Sequence, residues 1–153
     1  MSFLTAKWQN LIMINYTIDP ELLLPYLPLG TELDFFNDKC YVSLVGFIFS
    51  NTRLRGISIP FHKKFEEVNL RFYVKHKDGQ KWKRGVVFIK EIVPKPALTY
   101  IANVIYKEHY HTASMQHLWY DTKDSQYVDY QWKANNQWQG ISVLAEKNTM
   151  KSV

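Results

Sequence analysis

A chain of 153 residues, 46% hydrophobic and 16% aromatic, carries ample apolar surface for one core, which argues against disorder and leaves little room for a second domain. The net charge of +5 is spread along the chain. Its densest basic run, Lys75 to Arg84, falls at an expected hairpin tip and reads as a solvated turn, not a nucleic-acid footprint.

The single cysteine, Cys40, excludes an internal disulfide and fits a reducing compartment. It opens a strand-like run and reads as a core residue. No run reaches the roughly 18 apolar residues of a membrane span. Lys7, Gln9 and Asn10 interrupt any signal-peptide pattern. A soluble, cytoplasmic protein is the expectation.

In chain order, Asn10 to Ile18 reads as a buried strand. Asp19-Pro20-Glu21 then supplies an N-cap, a proline at the first helical position and an acid in the first turn. Pro25, Pro28 and Gly30 hold that helix to one or two turns. "TELDFF" and "KCYVSLVGFIFS" are strand-like, with Asn37-Asp38 as a hairpin turn. "RLRGISIPFHKK" reads as a mobile flap or an edge segment. A long hairpin follows, with Asp78-Gly79 as the turn signal. Apolar residues at helical spacing from Leu98 to Ile105 predict a second helix over Ala97 to about Lys107. From His109 to Glu146 the chain is strand-like again, with turns at Asp124-Ser125 and Asn135-Asn136. The composition adds ten Tyr, nine Phe and five Trp, which pack well on pleated surfaces. The expected class is α+β, mainly β: a curved antiparallel sheet or open β-barrel with two short helices, in a single domain over residues 1–153.

The hairpin poses the functional question. Along its first strand one face carries Glu67, Asn69, Arg71 and Tyr73, and the other Val68, Leu70, Phe72 and Val74. With Asp78-Gly79 as the central pair, Glu67 faces Lys90, Asn69 faces Phe88, Arg71 faces Val86 and Tyr73 faces Arg84. Two readings stand. The polar face is a wet outer face with a surface ion pair, or it lines a small-ligand cavity, as its mixture of acid, amide, guanidinium, ring and aliphatic groups suggests. Lys90 beside Glu67 is a poor Schiff-base amine, because a carboxylate raises a lysine pKa.

Other constellations are weaker. His109 and His111, two apart on a strand face that further on carries His117, could ligate zinc, but no third ligand is indicated near the pair, and Tyr110 and Trp119 suggest packing instead. No Gly-rich phosphate loop and no serine elbow is present, so neither cofactor nor metal is expected.

The stretches "LTAKWQNLIMINYTIDPELLLPYLPLGTELDFFNDKCYVSLVGFIF", "RLRGISIPFHKKFEEVNLRFYV" and "RGVVFIKEIVPKPAL" resemble the YqjF-like family of unknown function, over about Leu4 to Met115. That family is related to the acetoacetate decarboxylase-like fold, and the resemblance implies a β-barrel-like sheet enclosing a cavity. It also favours the cavity reading of the polar face. The decarboxylases act through a lysine Schiff base in a pocket with an acid and an arginine. "FEEV" resembles their acidic element, so Glu66 or Glu67 matches, and Glu67 is the one on the polar face. Where their lysines stand this chain reads "HYHTASM", with His111 and Thr112 in place, so the Schiff-base lysine is absent there. Relatives run on past "LAEKNTMKSV", which suggests a shortened C-terminus.

The expected function is a cavity for a small polar organic ligand, carboxylate or ketone-like, bound by Glu67, Asn69, Arg71, Lys90, Tyr110 and His111. Alternatives are a lyase-like enzyme with Glu67 or His111 as base, and an interaction protein pairing its sheet edge in a homo-oligomer.

Overall fold

A computed structural model describes residues 4–54, 57–58, 64–94 and 110–147 of the chain. The expected helix over Ala97 to Lys107 lies outside them, as does most of the flap segment. The elements are β1 (Leu4–Ile18), a 3-10 helix (Pro20–Tyr26), β2 (Glu32–Leu33), β3 (Cys40–Leu54), β4 (Ile57–Ser58), β5 (Lys64–Asp78), β6 (Lys81–Val93), β7 (Tyr110–Thr112), β8 (Met115–Asp121), β9 (Ser125–Ala134) and β10 (Gln137–Glu146). The protein is mainly β, as its ring-rich composition predicts.

Local signals in the sequence act as expected at most joints. Asp19 caps the 3-10 helix by accepting from the Glu21 amide at 3.0 Å, and Pro20 opens it. Asn37 and Asp38 both take positive φ (49° and 58°), closing Phe36 onto Lys39. Asn135 and Asn136 do the same between β9 and β10. These asparagine and aspartate pairs tolerate the left-handed region that a two-residue hairpin turn needs.

The larger sheet runs β1-β3-β5-β6-β7, with β4 turned back onto β3 and β2 paired to β5. β2 joins β5 at Lys75 and Val74, next to where the β3 ladder reaches Phe72. All its pairs are antiparallel except β6–β7, a short parallel pair. Among the described residues the sheet does not close on itself, so the open-barrel expectation holds only as a sheet with two ends. β8, β9 and β10 form a separate three-stranded sheet. β1 is longer than the sequence suggests, and it is half exposed, not buried, with Leu11, Met13 and Tyr16 reaching solvent.

Strand alternation sets the two faces of the larger sheet. On one face Val68, Ile12 and Ile48 meet Val128, Tyr130 and Ile141 of the second sheet. Further along it, Phe72 and Val74 pack with Leu23 of the 3-10 helix, Leu33, Cys40 and Val42. Cys40 is therefore a core residue, and burial pushes its thiol pKa up. The sheets are also joined by His117 Nδ1 and Glu66 Oε1, 2.6 Å apart. On the other face an aromatic floor forms from Phe47, Phe49 and Phe65 with Val45 and Val93, and Trp8 stacks on Phe47 at 4.9 Å. The polar row stands beside this floor.

Candidate functional site

β5 places Glu67, Asn69, Arg71 and Tyr73 on the face of the aromatic floor. Glu67 and Asn69 are each 2% exposed, so this part of the row is interior, not a wet outer face. β3 adds Ser43, fully buried and opposite Arg71. β1 adds Asn15 opposite Ser43.

The register across the hairpin differs from the expected one. Asp78 pairs with Lys81, so Gly79-Gln80 is the central pair, and Gly79 takes the positive φ (61°). Glycine at the first central position satisfies a primed turn as well as Asp-Gly would. The shift moves β6 by two residues, which keeps faces unchanged: Tyr73 pairs with Val86 and Arg71 with Phe88. A bulge then intervenes between Arg71 and Leu70, leaving Ile89 unpaired. One extra residue exchanges the faces of everything beyond it. Lys90 thereby pairs with Leu70 and is exposed, whereas Glu91 pairs with Asn69 and is 4% exposed. The expected Glu67–Lys90 pair is not formed, and the polar row holds a second acid in place of a lysine.

β7 decides the remaining two candidates. Its parallel pairing sets Tyr110 beside Glu91, and His111 beside Ile92. Tyr110 thus joins the polar row, while His111 is exposed on the opposite face. The structure brings together Glu67, Asn69, Arg71 and Tyr110 and leaves out Lys90 and His111. The reading of the sequence missed Glu91 and Ser43. Two adjacent charges inside an apolar strand, Lys90-Glu91, were the available hint of a bulge.

The contacts divide the row into two ends. At one end Asn69 Nδ2 donates to Glu67 Oε1 at 3.0 Å, and the Tyr110 hydroxyl donates to Glu67 Oε2 at 3.5 Å. At the other, Ser43 Oγ donates to Asn15 Oδ1 at 2.5 Å and lies 2.6 Å from the Tyr73 hydroxyl. Between them stands Arg71. Its Nη2 lies 3.7 Å from Met13 Sδ, and the Tyr73 hydroxyl lies 3.8 Å from the same sulfur. Among the described residues Arg71 makes no ion pair, and its buried Nε has no hydrogen-bond partner, nor has Asn69 Oδ1. Buried donors and acceptors are normally satisfied, so each of these two atoms calls for an explanation.

Beyond Tyr73 the same face opens into a cleft of about 350 Å³. Asn15, Phe35, Phe36, Tyr41 and Tyr73 line it together with Asp34 and Arg84, which are ion-paired at 3.0 Å. Lys75, two residues past Tyr73, is held by Glu32 at 3.7 Å and lies 4.8 Å over the Trp82 ring. Among the described residues no lysine stands in the row from Glu67 to Tyr73, and no group of three or more His, Cys, Asp or Glu is arranged to hold a metal. No helix among them is long and apolar enough to cross a membrane.

The fold resembles that of two solved enzymes. Acetoacetate decarboxylase from Legionella pneumophila superposes with a TM-score of 0.60 at 17% identity, over 84% of this chain and 44% of that one. The enduracididine biosynthesis enzyme MppR, solved with pyruvate bound, superposes with a TM-score of 0.65 at 12% identity, over 90% and 55%. At these identities the likeness is one of fold. In sequence, the chain is 32% identical over 82 residues to the uncharacterized protein YqjF of Bacillus subtilis (strain 168), covering 53% of this chain and 32% of that protein. The chain thus matches about a third of that relative and about half of each solved structure. The model of the family DUF2071, an uncharacterized conserved protein, matches residues 5–152. The chain belongs to this YqjF-containing family, whose fold is acetoacetate decarboxylase-like.

Proposed function

We propose that the polar face of the larger sheet binds a small organic ligand carrying a carboxylate or ketone-like group. One observation carries this reading: the Arg71 guanidinium, with its buried Nε unpartnered, stands among buried polar side chains and pairs with no carboxylate among the described residues. Its planar fork matches a carboxylate with two parallel hydrogen bonds. Asn69 Oδ1 offers an acceptor on the same face. The similar enzymes support the ligand class, since one is named for acetoacetate and the other was solved with pyruvate.

The test is a thermal-shift and calorimetric titration with pyruvate and acetoacetate. Binding is expected in the parent, and Arg71→Ala should weaken it by roughly tenfold to a hundredfold, the worth of a charged hydrogen-bonded contact. A parent that binds neither acid, or an Arg71→Ala variant that binds like the parent, would refute the reading.

The environment of Glu67 favours a second reading, a lyase-like activity using acid/base chemistry. Its carboxylate is buried, oriented by Asn69 and Tyr110, and placed on the same face as Arg71. Proton–deuterium exchange into pyruvate, followed by NMR, should be measurable in the parent and abolished in Glu67→Gln. Borohydride trapping that leaves a covalent adduct on a lysine would replace this chemistry with a Schiff-base route.

A further inference from the structure

Building on that reading, we propose that the ligand carries an aryl ring as well as its carboxylate. The acid would go to Arg71, and the ring would lie in the cleft beside Phe35, Phe36 and Tyr41. The two regions are contiguous. The Arg71 Nη2 and the Tyr73 hydroxyl both reach Met13 Sδ, so little more than one sulfur atom separates them. Tyr73 and Asn15 then line the cleft itself.

Charge and exposure decide which part of a ligand belongs where. Asp34 and Arg84, the charged residues lining the cleft among those described, are paired with each other at 3.0 Å, so an ionic group gains less there than at Arg71. Its remaining lining is dominated by rings. Phe35 is 45% exposed and Phe36 68% exposed, and both directly precede the tight Asn37-Asp38 turn. An aromatic ring laid there would bury these faces and make the offset or edge contacts that aromatic pairs prefer. The cleft volume of about 350 Å³ sits at the small end of the range for ligand pockets and suits a single ring. The hydroxyls of Ser43 and Tyr73, 2.6 Å apart, mark the boundary between the two regions.

Calorimetric titration of the whole chain with acetate, hexanoate and phenylacetate tests this. Phenylacetate is expected to bind about tenfold more tightly than acetate and more tightly than hexanoate, the increment an aromatic contact supplies. Phe36→Ala, at an exposed side chain whose loss leaves the core intact, should reduce that preference toward parity while acetate binding stays as in the parent. Arg71→Ala should weaken all three acids. If acetate and phenylacetate bind equally and Arg71→Ala weakens both, the ring inference fails and the carboxylate reading stands. Equal binding of hexanoate and phenylacetate, or a phenylacetate preference untouched by Phe36→Ala, also overturns the ring inference. Binding of none of the acids overturns both.

Discussion

Tyr130 shows how one buried phenol ties two sheets and a bulge together. It is fully buried in the cluster between the sheets, and its hydroxyl donates at 2.8 Å to the carbonyl of Asn10. Asn10 takes a positive φ of 52° where β1 slips register against β3, so the phenol satisfies a carbonyl that the irregular ladder leaves over. Desolvation, and then the charge of Glu66, push the Tyr130 pKa well above the ordinary phenol range. The folded state therefore holds this proton more tightly than the unfolded chain, where a phenol titrates near about pH 10. Stability from this difference is fully present below pH 10. It is lost as pH rises above that value, because only the unfolded chain then gains by ionising. Urea titrations between pH 8 and 11 should show the parent losing stability more steeply than Tyr130→Phe. At neutral pH the variant should be less stable by about 1 kcal/mol, the usual worth of one hydrogen bond. Parallel pH profiles would remove Tyr130 as the source of the slope.

At the scale of the element, the β5–β6 hairpin shows what could be read from the residues and what could not. Alternation in β5 correctly separated Val68, Leu70, Phe72 and Val74 from Glu67, Asn69, Arg71 and Tyr73, because a two-residue period is a property of the strand alone. The partner strand was a different matter. Asp78-Gly79 and Gly79-Gln80 both satisfy turn chemistry with the same glycine, so composition does not choose between them. The bulge at Ile89 leaves no residue-level mark beyond the adjacent charges of Lys90 and Glu91. It is nevertheless what turns Glu91 inward and Lys90 out. The parity of β7 likewise depends on pairing with β6, and so His111 rather than Tyr110 fell on the wrong side. The register has a direct thermodynamic signature. Lys90→Ala removes an exposed side chain and should change unfolding free energy by no more than about 0.5 kcal/mol. Glu91→Ala strips a buried carboxylate from the row and should cost about 1–3 kcal/mol. Chemical denaturation of the two variants checks this. A reversal of the two costs would restore the Glu67–Lys90 pairing that turn position alone suggests.

At the scale of the whole molecule, the second sheet matters because it covers the face opposite the polar row. On one side β3 and β5 pack against β8–β10 and the 3-10 helix, which fixes the position of the row on their other side. The sheets pack tightly at Gly46. A Cβ built there would lie 2.6 Å from Tyr130 Cδ2 and 3.2 Å from Ile141 Cδ1. Both neighbours belong to the second sheet and are themselves buried, so neither has room to withdraw. Gly46→Ala must therefore push the sheets apart or twist the Tyr130 ring off its bond to Asn10. Overpacking of this kind costs about 1–3 kcal/mol. Because Gly46 lies on the face away from Arg71, loss of ligand affinity at low temperature should be small if the larger sheet stays intact, and the melting temperature should fall. A variant that keeps its melting temperature would show that the two sheets adjust independently. One that folds normally but no longer binds pyruvate would show that the polar face depends on the inter-sheet spacing itself. Comparing the melting temperature with the pyruvate dissociation constant separates these outcomes.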